Sequence, residues 1–176
     1  ANIIISGGPG TGKTTLLNAL LSFIPTKDRM VVIEDTLELN TFLEDSCSRL
    51  ESDEKVTLAD LVKNSLRMRP ERIVVGEIRG AEAADMITAC NVGKYCISTI
   101  HALTSREAII RLQNEPMNIP EILVNLIDVF VVLKRYHVGD RVFRIIDEIS
   151  ETGGMEQSKI LLAPTFKYNY DKQNLQ

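Results

Sequence analysis

Gly7-Gly8-Pro9-Gly10-Thr11-Gly12-Lys13-Thr14 decides how this chain is read. The octet satisfies the pattern G-x-x-x-x-G-K-[ST] at every specified position. Glycines let the backbone curl until several N–H groups face one concavity, a nest for anions. A helix starting directly behind the loop aims the positive end of its dipole at the same point. Lys13 reaches the β- and γ-phosphates of a nucleotide, and the Thr14 hydroxyl is a ligand for Mg²⁺. The residues expected to line the nucleotide are Gly8, Pro9, Gly10, Thr11, Gly12, Lys13, Thr14 and Thr15. The flanks agree. Residues 2–6 (N-I-I-I-S) are a β-branched apolar run of the buried parallel-strand type, and residues 15–23 read as a helix stopped by Pro25. There is no N-K-x-D guanine reader, so ATP is the expected nucleotide rather than GTP.

Outward from the loop, strand and helix alternate. Residues 30–33 form a second buried strand that ends in the acidic Glu34-Asp35-Thr36-Leu37-Glu38. Residues 72–75 form a third, leading into Gly76-Glu77-Ile78-Arg79, and residues 95–99 a fourth, ending at His101. Helices are expected from Thr57, which with Asp60 makes an N-cap pair, to a stop at Pro70; over 82–89, with Gly93 as the C-terminal signal; from the Thr104/Glu107 capping box to about Leu112; and briefly over 120–126. Residues 40–56 are charged and show no period, so a loop or short excursion is expected there. Residues 128–136 and 141–150 read as two strands joined by His137-Val-Gly-Asp140, a hairpin signal, and residues 159–170 as one or two edge strands. This order predicts an α/β fold, a mainly parallel sheet between helices with a C-terminal hairpin extension. Such sheets bind ligands at the carboxyl ends of their strands. Lys13, Thr14, Glu34, Asp35, Glu77 and His101 all fall at those ends.

These positions have distinct chemical tasks. Glu77 follows four apolar strand residues and stands where a second P-loop motif is expected, although Gly76 takes the slot that usually holds an Mg²⁺-binding Asp. A carboxylate there orients and deprotonates the attacking water. Glu34, Asp35 and Glu38 form an acidic cluster suited to holding Mg²⁺ through waters or to polarising the nucleophile. His101 is placed to donate to the γ-phosphate. The expected catalytic set is therefore Glu77, Lys13, Glu34 and His101. The expected metal set is Thr14, Glu34 and Asp35, acting partly through water. Arg67, Arg69, Arg79, Arg106 and Arg111 are all candidates to neutralise transition-state charge, and spacing does not choose among them. His137 is read as a turn residue.

Composition narrows the class. The chain has 176 residues, 44% hydrophobic and 25% charged, which suits one globular domain. Its net charge of −4 argues against a dedicated nucleic-acid binder. The most apolar stretch past the first strand, residues 127–133, falls far short of the ~20 residues of a membrane span. No basic-then-apolar leader is present. Cys47, Cys90 and Cys96 are an odd number, without knuckle spacing, and are read as reduced thiols in a reducing compartment. The chain opens at Ala1-Asn2 and enters a strand at once, which is the expected look of a fragment.

Four motifs together resemble one family. Gly7 to Thr14, Ile33-Glu-Asp-Thr-Leu-Glu38, Leu66-Arg-Met-Arg-Pro-Glu-Arg-Ile-Val-Val-Gly-Glu-Ile-Arg-Gly80 and Ser98-Thr-Ile-His-Ala102 are similar to the Walker A, Asp box, Walker B and His box of the secretion ATPases. These are the motors of type II and type IV secretion, pilus and archaeal filament assembly, and conjugation. The resemblance runs to about residue 150. It points to the type IV secretion, tight-adherence and archaeal branch, since no paired C-x-x-C motifs occur. It departs at Ala102-Leu103-Thr104, where that branch often has Asn-Ser-Pro. The resemblance implies a RecA-like P-loop NTPase core over residues 1–150, with residues 151–176 as a C-terminal extension. It implies a homo-hexamer attached to a membrane platform protein on the cytoplasmic face of the inner membrane. It also implies Glu77 as base, Glu34 and Asp35 as metal- and water-organising acids, His101 as a γ-phosphate contact, and an N-terminal domain, closing over the adenine, that this chain lacks. ATP and Mg²⁺ are the expected cofactors, and no direct nucleic-acid partner is expected. The leading function is ATP hydrolysis driving secretion, filament assembly or conjugative transfer. A RecA-like nucleic-acid motor would require a basic channel, against which the acidic balance speaks. A non-hydrolysing ATP-binding assembly module is opposed by Glu77.

Overall fold

Strand burial sets the architecture. In β2 (Met30–Glu34) every side chain is buried, and alternate residues go to opposite faces. Val31 and Ile33 join one core cluster, and Met30 and Val32 join another. The same split recurs in β1 (Ile3–Gly7), where Ile4 and Ile5 part company, and in β4 (Arg72–Val75), where Ile73 and Val75 separate from Val74. A sheet buried on both faces needs helices on both. Each aliphatic side chain so buried contributes about 1.5–3 kcal/mol, far more than an exposed ion pair.

The computed structural model describes residues 1–40, 46–157 and 159–170. Among them one eight-stranded sheet runs in the order β3-β2-β4-β5-β1-β6-β7-β8. β3 (Cys47–Glu51), β2, β4, β5 (Tyr95–Ile100), β1 and β6 (Val129–Val138) are all parallel. β7 (Arg141–Glu156) and β8 (Lys159–Lys167) then return antiparallel. Helix α1 (Lys13–Leu21) covers one face. α2 (Leu58–Ser65), α3 (Glu82–Asn91), α4 (Ser105–Gln113) and α5 (Glu121–Val124) pack on the other. This is the expected α/β architecture with its hairpin extension.

Three local readings change. Within the charged stretch 40–56, the part read as loop or excursion contains β3, paired along its whole length with β2. It is an edge strand bearing Arg49 and Glu51, so no apolar alternation marks it. The expected four-residue hairpin turn is a two-residue one. Val138 pairs with Arg141 across Gly139-Asp140, and Gly139 takes φ 56°. β7 runs on without interruption past residue 150, to Glu156. Its register with β6 skips Asp147, because Val132 opposes Glu148 while Leu133 opposes Ile146. Asp147 is therefore a bulged residue. Among the described residues no helix is long and apolar enough to cross a membrane.

Candidate nucleotide site

The carboxyl ends of four neighbouring parallel strands meet at one level. Register aligns Ser6 with Ile100, Ile33 with Val75, and Val75 with Ser98. The residues that follow these strands, the loop from Gly7, Glu34-Asp35, Gly76-Glu77 and His101, are thereby brought together.

The loop is glycine-rich for steric reasons. A Cβ on Gly7 would stand 2.5 Å from Thr11 Oγ1 and 2.8 Å from Leu133 O, so no larger residue fits. Gly12 takes φ 96° and ψ 23°, the left-handed region, directly before α1. No side chain caps α1, and no acid lies in its first turn. By contrast, α2 is capped by a Thr57/Asp60 box, and α4 is capped by Thr104 with Glu107 in its first turn. The leading amides of α1 thus keep their dipole for an outside anion.

Lys13 is buried, and its Nζ lies 3.1 Å from Gly7 O, 3.2 Å from Gly8 O and 3.3 Å from His101 Nδ1. Burial lowers the lysine pKa, Glu77 opposes that shift and Arg79 adds to it. Glu77 Oε2 accepts from Arg79 Nη2 at 2.7 Å. Glu77 Oε1 lies 2.9 Å from His101 Nε2, an ion-pair distance. That oxygen is buried and accepts no aligned hydrogen bond among the described residues. Burial alone pushes the Glu77 carboxyl up. The Arg79 guanidinium, with His101 and Lys13, more than offsets this and holds the carboxyl below the usual range. Glu77 is therefore ionised at neutral pH, with one oxygen buried beside the His101 ring.

The acidic side is organised differently. Glu34 is 3% exposed. Its Oε1 accepts from the amides of Glu38 and Leu39 at 3.0 and 2.9 Å, and its Oε2 lies 3.5 Å from Arg49 Nη2. Its Cγ fills the space beside Gly76, where a Cβ would come within 3.1 Å. A side chain at position 76 would therefore crowd Glu34, which would have to give by a few tenths of an ångström. Asp35 is exposed and accepts from Ser52 Oγ at 2.7 Å. Thr14, Glu34, Asp35, Glu38, Glu77 and Arg79 all line one cavity of about 250 Å³. Among the described residues no three His, Cys, Asp or Glu side chains are placed to hold a metal by themselves. Mg²⁺ does not require that, since it retains waters and binds through one or two protein oxygens plus phosphate. A buried acceptor without a donor, a hydroxyl at Thr14 and an anion nest fit Mg²⁺–nucleotide.

A second cavity, of about 690 Å³, runs along α1 on the other side of the loop, past Thr14, Thr15, Leu16, Ala19, Arg144 and Ile146. Of the arginine candidates, Arg79 reaches Glu77. Arg111 pairs with Glu107 at 3.1 Å, and Arg106 donates to Ile160 O at 3.1 Å. Arg67 lies in the short 3₁₀ turn after α2, and Arg69 just behind it. The sequence reading missed Arg135 and Arg144, which flank the loop from the hairpin. The tight turn at Gly139-Asp140 was the available signal, since it sets Arg135 opposite Arg144.

The family model described as type II/IV secretion system protein matches residues 1–135. The chain belongs to that family. A conjugal transfer protein TrbB of Rhizobium radiobacter is 38% identical over 154 residues, covering 82% of this chain and 47% of TrbB. An uncharacterized protein of Methanocaldococcus jannaschii is 36% identical over 176 residues, covering 96% of this chain and 65% of its own length. Among solved structures, the VirB11 ATPase of the Brucella suis type IV secretion system, in complex with sulphate, superposes with a TM-score of 0.73 at 34% identity. That match covers 85% of this chain and 47% of VirB11. The chain thus spans about half to two thirds of the length of these relatives. Within the family fold, His101 stands 3.3 Å from Lys13 and 2.9 Å from Glu77.

Proposed function

We propose that this secretion-family chain binds and hydrolyses ATP, and that hydrolysis drives a secretion, filament-assembly or conjugation machine. One observation carries the reading. His101 stands between Lys13, at 3.3 Å, and Glu77, at 2.9 Å, so three separate motifs meet at a point beside a phosphate nest.

The loop amides and Lys13 Nζ hold the β- and γ-phosphates, and Lys13 exchanges its carbonyl contacts for phosphate oxygens. Glu77 Oε1 accepts a hydrogen bond from a water and takes its proton as the water oxygen attacks the γ-phosphorus. The bond from that phosphorus to the β–γ bridging oxygen breaks, leaving ADP and phosphate. His101 touches both the lysine and the base, so it is placed to sense the γ-phosphate. Thr14, with Glu34 and Asp35 partly through water, would hold Mg²⁺, whose charge neutralises the phosphates. In this reading residues 1–150 are the motor domain and residues 151–176 are a C-terminal extension. The working form is a homo-hexamer on a membrane platform protein at the cytoplasmic face of the inner membrane. The names of the conjugation and type IV secretion relatives support a transfer or secretion role.

Phosphate release from Mg-ATP, by the chain and by Glu77→Gln, with and without single-stranded DNA, tests this. Slow release that the substitution abolishes and DNA leaves unchanged is expected. Release unaffected by Glu77→Gln would overturn the site. Strong DNA stimulation would replace the secretion motor with a nucleic-acid motor.

A further inference from the structure

Arg135 and Arg144 are cross-strand partners in the β6–β7 ladder. Like charges directly opposite one another destabilise a sheet. The chain does not lack acids, with 24 Asp and Glu against 20 Lys and Arg. Elsewhere it uses them: Arg49, Arg72, Arg79 and Arg111 each meet a carboxylate at 2.7–3.5 Å. Among the described residues neither Arg135 nor Arg144 does.

Both arginines converge on the crest of the phosphate loop. Arg135 stands two residues after Leu133 and Arg144 two residues before Ile146, so both share the face where α1 packs. Arg144 Nε donates to Gly10 O at 2.9 Å. Arg135 Nη1 lies 3.1 Å from where a Cβ on Gly10 would be, and Gly10 itself has φ 67°. Glycine at position 10 thus admits a guanidinium against the loop. The terminal amines of Arg144 and the whole guanidinium of Arg135 meet no acceptor among the described residues. Arg144 also lines the cavity that contains Thr14 and Thr15, and Arg135 lines a neighbouring one with Gly8, Pro9 and Thr11. The Arg144 cavity adjoins, across Lys13 and Thr14, the one lined by Glu77, where the γ-phosphate belongs in the proposed function.

Resting on that proposed function, we propose that Arg135 and Arg144 form a two-guanidinium clamp on the phosphate nearest the ribose of the bound nucleotide. The like-charge pair is held ready for an anion, and the hairpin becomes a reader of nucleotide occupancy. The clamp is indifferent to the γ-phosphate, so it is engaged by ADP and ATP alike. Charge-assisted bonds from guanidinium to phosphate are strong enough that losing one is a clear effect on affinity.

The test is calorimetric titration of Mg-ADP and Mg-ATP into the full chain carrying Glu77→Gln, so that ATP persists. Arg135→Gln, Arg144→Gln and Lys13→Ala are each compared in that background. Each arginine variant is expected to weaken ADP and ATP by the same factor, about tenfold. Arg144→Lys should recover part of the loss. The nucleotide-free melting temperature should stay level or rise in Arg135→Gln, because a repulsion is removed; a merely structural arginine would lower it. A loss confined to ATP would move the pair to the γ-phosphate and overturn the proposal. Unchanged nucleotide affinity with weakened self-association would assign the pair to a carboxylate of a second copy, and would also overturn it. Lys13→Ala separates the two readings. If it abolishes binding while the arginine variants bind normally, the clamp fails and the phosphate cradle stands. If Lys13→Ala binds normally, the cradle itself fails.

Discussion

The same sheet treats two acidic side chains in opposite ways. In the antiparallel half, Asp147 sits in the β7 bulge, 1% exposed, with Lys134 Nζ and Lys167 Nζ each 2.9 Å away and the Tyr170 hydroxyl donating to it. Burial pushes its carboxyl up, but Tyr170 and the two lysines hold it below the usual range. In turn, burial and this acceptor push the Tyr170 phenol up to about 12. In the parallel half, Glu77 has one oxygen on Arg79, and the other is buried without an aligned donor. A saturated carboxylate fixes structure: Asp147 ties β6, β7, β8 and the Tyr168–Tyr170 segment together. A carboxylate left one donor short is positioned for something else to fill the gap. Glu34 shares features of both, since it lines the same cavity as Glu77 while two backbone amides hold its Oε1.

Substitutions can break this contrast. The largest effect belongs to Glu77→Gln, which should lower turnover by at least about a hundredfold, as loss of a general base does. Its ADP affinity should stay near wild type; a parallel loss of ADP binding would mean that Glu77 builds the site rather than acts in it. Next comes Asp147→Asn, expected to cost about 2 kcal/mol in denaturant unfolding, the scale of hydrogen bonds to a charged group. Its two lysines are partly exposed, which keeps the figure below that for a fully buried pair. Turnover per folded molecule should be unchanged. Gly76→Ala should follow, at about 1 kcal/mol and with reduced turnover, because Glu34 is anchored by two amides and yields little to the new methyl. Equal stability and activity there would show that the Glu34 side of the cavity is looser than its hydrogen bonds imply.

Acid sharpens the comparison further. The folded carboxyl of Asp147 lies below its ordinary value, so its stabilisation is fully present above the unfolded value near ~3.9 and is lost as pH falls through the folded value. The melting temperature of the wild type should therefore fall more steeply than that of Asp147→Asn on the acid side of that value. The gap between the two proteins should narrow as the pH drops. A constant gap would mean that the bulge is held by packing rather than by charge.

Much of the fold was legible because its signals are local and redundant. The apolar runs of β1, β2, β4 and β5 leave no other placement, and the Thr57/Asp60 and Thr104/Glu107 caps mark their helices. The loop from Gly7 to Thr14 is fixed by sterics that the residue types themselves express. β3 escaped because an edge strand facing water keeps its charges, and its pairing with β2 is not local. The Asp147 cluster escaped because a bulge and two lysines 33 residues apart in sequence leave no periodic trace. The arginine pair escaped for a related reason: its meaning lies in what it opposes across a turn. At the site, residue types predicted which side chains would converge. That Glu34 is bound by backbone amides while Glu77 has a buried oxygen without an aligned donor required the geometry.

The most direct test of the contrast is the rate of phosphate release from Mg-ATP by Glu77→Gln and Asp147→Asn, normalised to the folded fraction of each. The account predicts no release above background for Glu77→Gln and a wild-type rate for Asp147→Asn. Wild-type release by Glu77→Gln would contradict it, because the open carboxylate would then have no part in the chemistry.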